Sequence, residues 1–312
     1  MAKILITGGT GFAASHLVEA LHERGEKDIH LTAYRDEGEF VKQFIQAENI
    51  HQLNLADKQA TRDLIQKIQP EQIYHLASLA SVGDSFEKQS FVLEMNIALQ
   101  VNLLEAIRLH APQAKLLHIS TALVYAKNNQ PLDEQAALGP DNPYALSKLT
   151  QDLLTQIFSQ KENLQVVIAR PFNHIGERQT LGFVVADWAA AIARIERGKQ
   201  DSLPVGNLNS VRDFTDVKDM VQAYILLMEK GLPGEIYNIG SGQGTQIQEI
   251  LDLLCSLAQK PIEIVSDPQK IRPIDLPSLV CDNEKIKALG WQPKQQLKNT
   301  LARILEYWRE NL

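Results

Sequence analysis

Cysteine is scarce in this sequence, with two residues in a chain of 312, Cys255 and Cys281. They form no CxxC pair and lie outside any metal-ligand spacing, so we expect neither a disulfide framework nor a metal site. Free thiols in a reducing compartment are the simplest interpretation, and we therefore expect a cytoplasmic protein.

A surplus of basic residues is also missing. The 31 lysines and arginines are outnumbered by 38 acidic residues, giving a formal net charge of −7. This argues against binding of nucleic acid through bulk electrostatics, so individual arginines or helix N-termini must meet any anionic ligand. No apolar run approaches the roughly 20 residues of a membrane helix, and we expect no membrane partner.

Short aliphatic runs alternate with helix-period segments through the first half of the chain. The predicted strands are Lys3–Thr7, Ile29–Ala33, Ile73–Leu76, Lys115–Ser120 and Gln165–Ala169. The predicted helices are Ser15–Arg24, Lys58–Ile68, Met95–Leu109 and Pro143–Ser159. This alternation predicts a doubly wound, parallel, Rossmann-type α/β sheet whose ligands bind at the carboxyl ends of the strands.

The regular alternation of strand and helix patterns ends after Arg170, where prolines recur and the predicted loops are longer. We therefore expect residues 1–170 to form a dinucleotide-binding domain and residues 171–312 a smaller α/β substrate-binding part. The helical pattern Asp219–Glu229, followed by the strand pattern Ile236–Ile239, indicates that residues 215–240 return to the first domain.

A glycine-rich loop joins the first predicted strand to the first predicted helix. Its sequence, Gly8-Gly9-Thr10-Gly11-Phe12-Ala13-Ala14, has the pattern GxxGxxA. Such glycines let backbone N–H groups approach a pyrophosphate, and the helix N-terminus adds partial positive charge. The residues expected to bind the dinucleotide are Gly8, Thr10, Gly11, Phe12 and Ala13. A plain structural turn is the alternative interpretation.

The end of the second predicted strand bears on the identity of the dinucleotide. NAD enzymes usually place an acid there to bind the ribose hydroxyls. This chain has Arg35 followed by Asp36. Arg35 can meet a 2′-phosphate, which favours NADP. NAD stays possible, with Arg35 solvated and Asp36 on the ribose.

A threonine and a YxxxK motif form the predicted catalytic set. Thr121 follows the fifth predicted strand, and Tyr144 and Lys148 share one face of the next helix. A phenol is a poor acid or base at neutral pH, but a nearby ammonium stabilises the phenolate. Lys148 can also hold the nicotinamide ribose, while Thr121 orients the substrate oxygen. Tyr144 as a mere helix-start aromatic is the alternative.

With these motifs the chain resembles the extended short-chain dehydrogenase/reductase family along essentially its whole length. Further matches are Asn54-Leu55, His75-Leu76-Ala77-Ser78 and Asn96. The resemblance implies an NAD(P)-dependent oxidoreductase. It also implies that Asn54 and Leu55 contact adenine, and that Leu76, Ala77 and Ser78 belong to the cofactor site.

The second half narrows the resemblance to the branch of GDP-mannose 4,6-dehydratases and GDP-4-keto-6-deoxy-D-mannose reductases. The reductases are most similar because of the string Arg170-Pro171-Phe172-Asn173-His174-Ile175-Gly176. In this branch, the sugar-nucleotide diphosphate would be held by Asn173, Arg212 and Arg272. Other implied substrate contacts are Ser81, Phe183 and Val184, the last two at guanine, and Asp275 at the nucleotide ribose or base.

The same resemblance would place His174 and Arg178 near the nicotinamide half of the cofactor. Each assignment has a plainer alternative. A lone histidine after a strand is often a satisfied loop or core residue, and Arg212 beside Asp213 can be a simple ion pair.

The residues after Thr121 separate the reactions of this branch. Dehydratases carry an acid/base pair there, whereas this chain has Ala122 and Leu123, which cannot move a proton. We therefore expect NAD(P)H-dependent reduction of the 4-keto group of a GDP-4-keto-6-deoxyhexose, with Tyr144 as the acid and GDP-rhamnose or its C4 epimer as the product. A nucleotide-sugar 4-epimerase is the main alternative, ahead of a GDP-mannose 4,6-dehydratase or a non-catalytic dinucleotide-binding regulator.

Several residues depart from the reductase pattern. Thr121 replaces a serine, and Ala98 and Ala126 replace glycines, so another keto-sugar is possible. The family likeness also implies a homodimer, in which Met95–Leu109 and Pro143–Ser159 pair with their symmetry mates.

Overall fold

The computed structural model describes residues 2–34, 38–80, 86, 88–270 and 277–312. Four predicted site residues, Arg35, Ser81, Arg272 and Asp275, lie outside these ranges, and their roles stay predictions.

A seven-stranded parallel sheet forms the centre of the protein. Its spatial order is β3 (Ile50–Gln52), β2 (Ile29–Ala33), β1 (Ile4–Thr7), β4 (Gln72–His75), β5 (Lys115–Ile119), β6 (Gln165–Pro171) and β10 (Ile236–Ile239). The order reverses beside β1, as expected of a doubly wound sheet. The predicted Rossmann-type α/β fold is confirmed.

Helices cover both faces because the buried strands are apolar on both sides. One face carries α1 (Phe12–Glu23) and α6 (Val217–Lys230), and the other carries α2 (Lys58–Ile68), α3 (Gln89–His110) and α4 (Pro143–Glu162). Within β1 the side chains alternate: Ile4 and Ile6 pack in the α1/α6 core, whereas Leu5 packs in the α2/α3 core. The carboxyl ends of these strands thus meet at one edge between two helix layers.

Smaller sheets and helices follow β6. The strands are β7 (Asn173–Ile175), β8 (Ser202–Val205), β9 (Val211–Asp216), β11 (Gly244–Gln246), β12 (Glu263–Ser266) and β13 (Ser278–Leu279). The helices are α5 (Val184–Glu196), α7 (Ile247–Ser256), α8 (Glu284–Ala288) and α9 (Leu297–Glu310). Strand β9 pairs with β7, β11 and β13, and β8 pairs with β12. Helices α5, α7 and α9 share their own apolar core. Strand β10 instead pairs with β6 in the main sheet.

Helix α3 is the longest apolar helix among the described residues. By length and composition alone Gln89–His110 is apolar enough to cross a membrane, although Glu94, Glu105 and Arg108 interrupt its apolar residues. Core helices of water-soluble proteins pass the same test. In this fold 44% of the most apolar window is buried, and the helix packs between α2 and α4.

Candidate active site

The glycine loop brings the ends of three strands together. Gly8 has a φ of +65°, which favours glycine, and a Cβ there would lie 2.8 Å from Cα of Ala77 after β4. The N–H groups of Gly8 and Gly9 donate to Thr32 in β2, at 3.0 and 2.9 Å. Strands β1, β2 and β4 therefore end side by side, where a Rossmann fold binds pyrophosphate.

The first turn of α1 carries no side-chain cap, because its N-cap residue is Gly11. The backbone N–H groups at the start of a helix have no intrahelical acceptors and are suited to an anion. Phe12 and Ala13, both half-buried, occupy this turn. Close by, a Cβ on Gly38 would lie 2.4 Å from Cγ2 of Thr10, so the segment after β2 packs against the loop.

The predicted adenine-side residues follow β3. Leu53 donates its N–H to the carbonyl of Ala33 at 3.0 Å, which joins this segment to the end of β2. The side-chain oxygen of Asn54 accepts from the N–H of Ala56 at 3.0 Å, and Leu55 is buried. These two residues therefore shape a loop at the same edge of the sheet.

Asn96 fixes the loop after β4 to the helix that carries the predicted catalytic pair. Its side-chain oxygen accepts from the N–H of Leu79 at 2.8 Å and from the Ser78 hydroxyl at 3.3 Å. Its amide donates to the Ser147 hydroxyl at 2.9 Å. Ser147 lies between Tyr144 and Lys148 in sequence, so one buried amide sets the spacing between the loop after β4 and α4.

A side-chain cap and a proline mark the start of helix α4, which carries the predicted catalytic pair Tyr144 and Lys148. The Asn142 side chain caps it by accepting from the N–H of Ala145 at 2.9 Å, and Pro143 occupies the first turn. Tyr144 is therefore in the first turn, at the edge of the site, and Lys148 is one turn deeper and 2% exposed.

Thr121 follows β5 and caps a short 3₁₀ turn, Ala122–Val124, by accepting from the N–H of Leu123. Its side chain also lies close enough to the Tyr144 hydroxyl to favour the phenolate form. The structure thus brings Thr121, Tyr144 and Lys148 together at one edge of the sheet. Ala122 is 1% exposed and apolar, so it offers no group for proton transfer.

The protonation states of the pair follow from burial and one nearby carboxylate. Burial raises the pKa of Tyr144 to about 12; the nearby Thr121 side chain acts against this rise, and the charge of Asp152 adds to it. Burial lowers the pKa of Lys148 to about 8, opposed by the charge of Asp152. At neutral pH the site therefore holds a phenol, which can donate a proton, beside an ammonium.

The segment after β6 brings His174 and Arg178 to helix α1. The His174 ring stacks on Phe12, with centroids 5.9 Å apart, and its Nδ1 is 3.1 Å from the carbonyl of Phe172. Burial lowers the pKa of His174, so the ring is neutral. This position fits either the predicted cofactor contact or a satisfied loop histidine.

Arg178 has a φ of +68°, an uncommon conformation for a residue with a side chain. Its guanidinium donates to Glu19 at 2.8 Å and to the Ser15 hydroxyl at 3.1 Å, and lies 3.7 Å from the ring centroid of Phe40. These contacts place Arg178 beside α1 and the segment after β2. A role at the nicotinamide half stays a prediction.

On the substrate side, Asn173 is exposed in β7, and Phe183 and Val184 are exposed at the start of α5. A separate cleft of about 240 Å³ has walls that include Leu181, Asp187, Trp188, Arg194 and Lys270. The cleft therefore offers both apolar surface and charged groups of both signs.

Arg212, in β9, donates to the carbonyl of Val211 at 2.8 Å. The Asp213 carboxylate accepts from Ser241, Gly242 and the N–H of Cys281. Asp213 therefore ties the turn after β10 to the chain beyond β13.

Two residues near the pair were missed by the sequence reasoning. Asp152 follows Tyr144 and Lys148 at a spacing of four on α4, and His118 interrupts the apolar strand β5. Both are fully buried. The four-residue spacing and a polar residue inside a core strand were the available signals.

The sequence matches the GDP-mannose 4,6 dehydratase family over residues 5–304. It is 34% identical to GDP-6-deoxy-D-mannose reductase of Pseudomonas aeruginosa over 267 residues, covering 84% of this chain and 88% of that protein. The fold is similar to RMD from Pseudomonas aeruginosa in complex with NADPH (TM-score 0.86, 31% identity, 99% and 100% covered). It is also similar to UDP-glucose 4-epimerase of Thermotoga maritima (TM-score 0.89, 29% identity, 99% of each chain covered).

The chain therefore belongs to the GDP-mannose 4,6 dehydratase family. The predicted resemblance to extended short-chain dehydrogenases/reductases is confirmed, and the protein is an enzyme of this oxidoreductase type.

Proposed function

We propose that this protein reduces the 4-keto group of a GDP-linked 4-keto-6-deoxyhexose with NADPH, forming GDP-rhamnose. The observation that carries this proposal is the protonated Tyr144 next to Thr121 and Lys148, with apolar Ala122 where a dehydratase would need an acid. The 34% identity to GDP-6-deoxy-D-mannose reductase supports the GDP-linked substrate.

The residues around the glycine loop fit a nicotinamide dinucleotide. Gly8 leaves no space for a Cβ beside Ala77, and the uncapped start of α1 suits a pyrophosphate. Residues Thr10, Gly11, Phe12 and Ala13 would hold the phosphates. Asn54, Leu55, Leu76, Ala77 and Ser78 would line the adenosine and nicotinamide sides. NADPH is favoured by Arg35 and by the NADPH complex of the similar RMD structure, and NADH is the alternative.

In the proposed reaction the bound dinucleotide supplies the hydride for C4. Thr121 and Tyr144 both hydrogen-bond the keto oxygen and orient it. Tyr144 then gives its hydroxyl proton to the alkoxide, and the Lys148 ammonium stabilises the phenolate that is left. Since the pKa of Tyr144 is raised to about 12, its hydroxyl is protonated at neutral pH before the substrate binds.

The guanine would lie in the cleft that Asp187 lines, with Phe183 and Val184, at the start of α5, as further contacts. Guanine presents adjacent N–H donors on one edge, and a carboxylate accepts from such a pair. Asp187 lies on the cleft wall, and its Oδ1 accepts from the N–H of Gly182 at 2.8 Å, which fixes its position. Asn173, Arg212 and Arg272 would hold the diphosphate, with Ser81 and Asp275 as further substrate contacts.

A thermal-shift screen of GDP, UDP, CDP and dTDP with NADPH or NADH tests this assignment. We expect the greatest stabilisation from GDP with NADPH. Asp187→Asn should reduce the GDP shift, while Asp201→Asn, a change of an exposed acid outside this cleft's wall, should not. A GDP shift no larger than the UDP shift would contradict the assignment.

Turnover by Tyr144→Phe tests the chemistry. We expect a loss of at least about 100-fold in kcat, the contribution typical of general acid catalysis, with NADPH still bound. Full activity would instead favour a non-catalytic dinucleotide-binding role.

A nucleotide-sugar 4-epimerase is the second candidate, favoured by the similarity to the Thermotoga maritima enzyme. The same three residues serve both reactions. An epimerase regenerates its cofactor, so it would interconvert substrates without net NADPH oxidation.

We also propose that residues 1–170, with 215–240, bind the dinucleotide and that 171–312 bind the nucleotide sugar. A homodimer would form through α3 and α4, whose outer faces expose Phe91, Leu146, Leu153 and Ile157. The cytoplasm is the expected compartment.

A further inference from the structure

Next to Lys148, between helix α4 and the central sheet, lies a cluster of buried polar side chains that the proposed proton transfer does not use. His75 ends β4, His118 lies in β5, Asp152 is one helical turn beyond Lys148, and Arg170 lies in β6. Each of these four is 2% exposed or less. Buried charges are costly unless they are paired, so this cluster needs an explanation.

Asp152 is the centre of the cluster. Its Oδ2 accepts from Nε of Arg170 at 2.9 Å, and its Oδ1 is 3.3 Å from Nε2 of His118. Arg170 also donates to the hydroxyl of Tyr125 at 3.0 Å. Asp152 thus bridges a helix and two strands directly behind the catalytic pair.

The Asp152 carboxylate is the negative charge that compensates the buried cations of this cluster. Burial lowers the pKa of His118 to about 4 and lowers that of His75 well below its usual value, so both rings are neutral. Two cations, Lys148 and Arg170, therefore share one anion. Without Asp152, two positive charges would be buried with no compensating charge among them.

The groups that face the catalytic pair come from every neighbouring element. They are His75 from β4, His118 from β5, Asp152 from α4 itself, Arg170 from β6, and Tyr224 from α6, which interacts with Tyr144. Only Asp152 among these carries a negative charge at neutral pH.

On the basis of the proposed role of Lys148, we propose that Asp152 is a positioning residue. Its buried carboxylate keeps Lys148 an ammonium, the state needed to stabilise the phenolate that Tyr144 leaves when it donates its proton during reduction. Arg170 limits this effect because it shares the carboxylate.

The charge of Asp152 acts on both members of the pair, and its effect on Lys148 is in the required direction. It opposes the loss of the Lys148 proton that burial favours, and it adds to the rise in the pKa of Tyr144. A neutral residue at position 152 would weaken both effects. The site would then hold its protons over a narrower range of pH.

Titration of Lys148 in the ligand-free protein, followed by NMR of ¹³Cε-labelled lysine, tests the proposal. Lys148→Met identifies the signal by its absence. Asp152→Asn should move the titration to lower pH by about 1–3 pH units, as expected for loss of a close opposite charge. Arg170→Gln should move it to higher pH, because the carboxylate then acts on Lys148 alone.

The Lys148 titration should move to lower pH in Asp152→Asn and to higher pH in Arg170→Gln. A purely structural defect would not shift the two titrations in opposite directions, so this result separates an electrostatic role from a structural one. Thr155→Val is the matched control: Thr155 is buried on the same helix and accepts from Gln100, but it carries no charge. It should lower stability and leave the Lys148 titration unchanged.

Shifts in the same direction, or none in either variant, would overturn the proposal. If Asp152→Asn does not fold, Arg170→Gln decides alone, and an unchanged titration there refutes it. The kcat profile against pH is a separate readout, and its basic limb should follow the NMR shifts. If the titrations shift as expected but no variant or parent reduces a GDP-keto-sugar, the proposed function fails and this inference stands.

Discussion

Replacing Lys148 with methionine is expected to abolish turnover and to stabilise the fold. The lysine is 2% exposed, and burial lowers its pKa from 10.5 to about 8. At about 1.36 kcal/mol per pKa unit, burying this ammonium in its charged form lowers the free energy of unfolding by about 3 kcal/mol at neutral pH. Methionine has a similar length and no charge to bury, so we expect a gain of about 1–3 kcal/mol in the free energy of unfolding.

The gain has a defined pH dependence. Because the pKa of Lys148 is lower in the folded state, its cost is complete below about pH 8, where both folded and unfolded chains carry the proton. The cost falls as pH rises from about 8 to 10.5, where the folded chain releases its proton first. The advantage of Lys148→Met should therefore shrink over that window.

Urea denaturation at pH 7 and pH 9.5 measures both effects. Lys161→Met is the control, since Lys161 is an exposed lysine on the same helix and should change stability by no more than about 0.5 kcal/mol. A destabilised Lys148→Met variant, or a gain that does not change with pH, would refute the reasoning.

Three further predictions follow from the described contacts. Gly8→Ala should weaken NADPH binding in a fluorescence titration and cost about 1–3 kcal/mol, because φ is +65° and the Cβ would meet Ala77; unchanged affinity would contradict this. Asn96→Ala should cost about 1–3 kcal/mol in urea denaturation, since it leaves buried partners unsatisfied, whereas Asn128→Ala at an exposed turn should be neutral. Leu153→Glu combined with Ile157→Glu should give a monomer in sedimentation with unchanged secondary structure; a persisting dimer would place the interface elsewhere.

Long, periodic segments of the chain were predictable because each repeats one pattern. Strand β1 and the glycine loop lie where the sequence places them, and α2 has the predicted bounds. Helix α3 begins at Gln89 instead of Met95, and α1 at Phe12 instead of Ser15. Neither start is marked by a side-chain cap, so the usual signal for a helix N-terminus is missing.

Pairings over long distances were not predictable in the same way. Strands such as β7, β11 and β13 have two or three residues, too few to show a period. The ion pair of Asp152 and Arg170 joins residues from α4 and β6. Of the four hydrogen bonds that Asp213 accepts, three come from Ser241 and Gly242, 28 and 29 residues away, and one comes from Cys281, 68 residues away. Such contacts exist only once the sheet is formed.

The candidate site depends both on local sequence patterns, which were predictable, and on contacts between distant residues, which were not. The YxxxK spacing placed Tyr144 and Lys148 on one face of α4, and the end of β5 brought Thr121 to them. The electrostatic setting came from residues with no motif of their own, since His118 and Asp152 are single polar residues inside the core.

The most direct test of the proposed reaction is a stoichiometric one. Purified protein is incubated with NADPH and GDP-4-keto-6-deoxy-D-mannose, NADPH oxidation is followed by absorbance, and the product is identified by NMR. We predict one NADPH oxidised for each GDP-rhamnose formed, with no turnover by Tyr144→Phe. Conversion of a nucleotide sugar without NADPH oxidation, or no conversion of this substrate, would contradict the account.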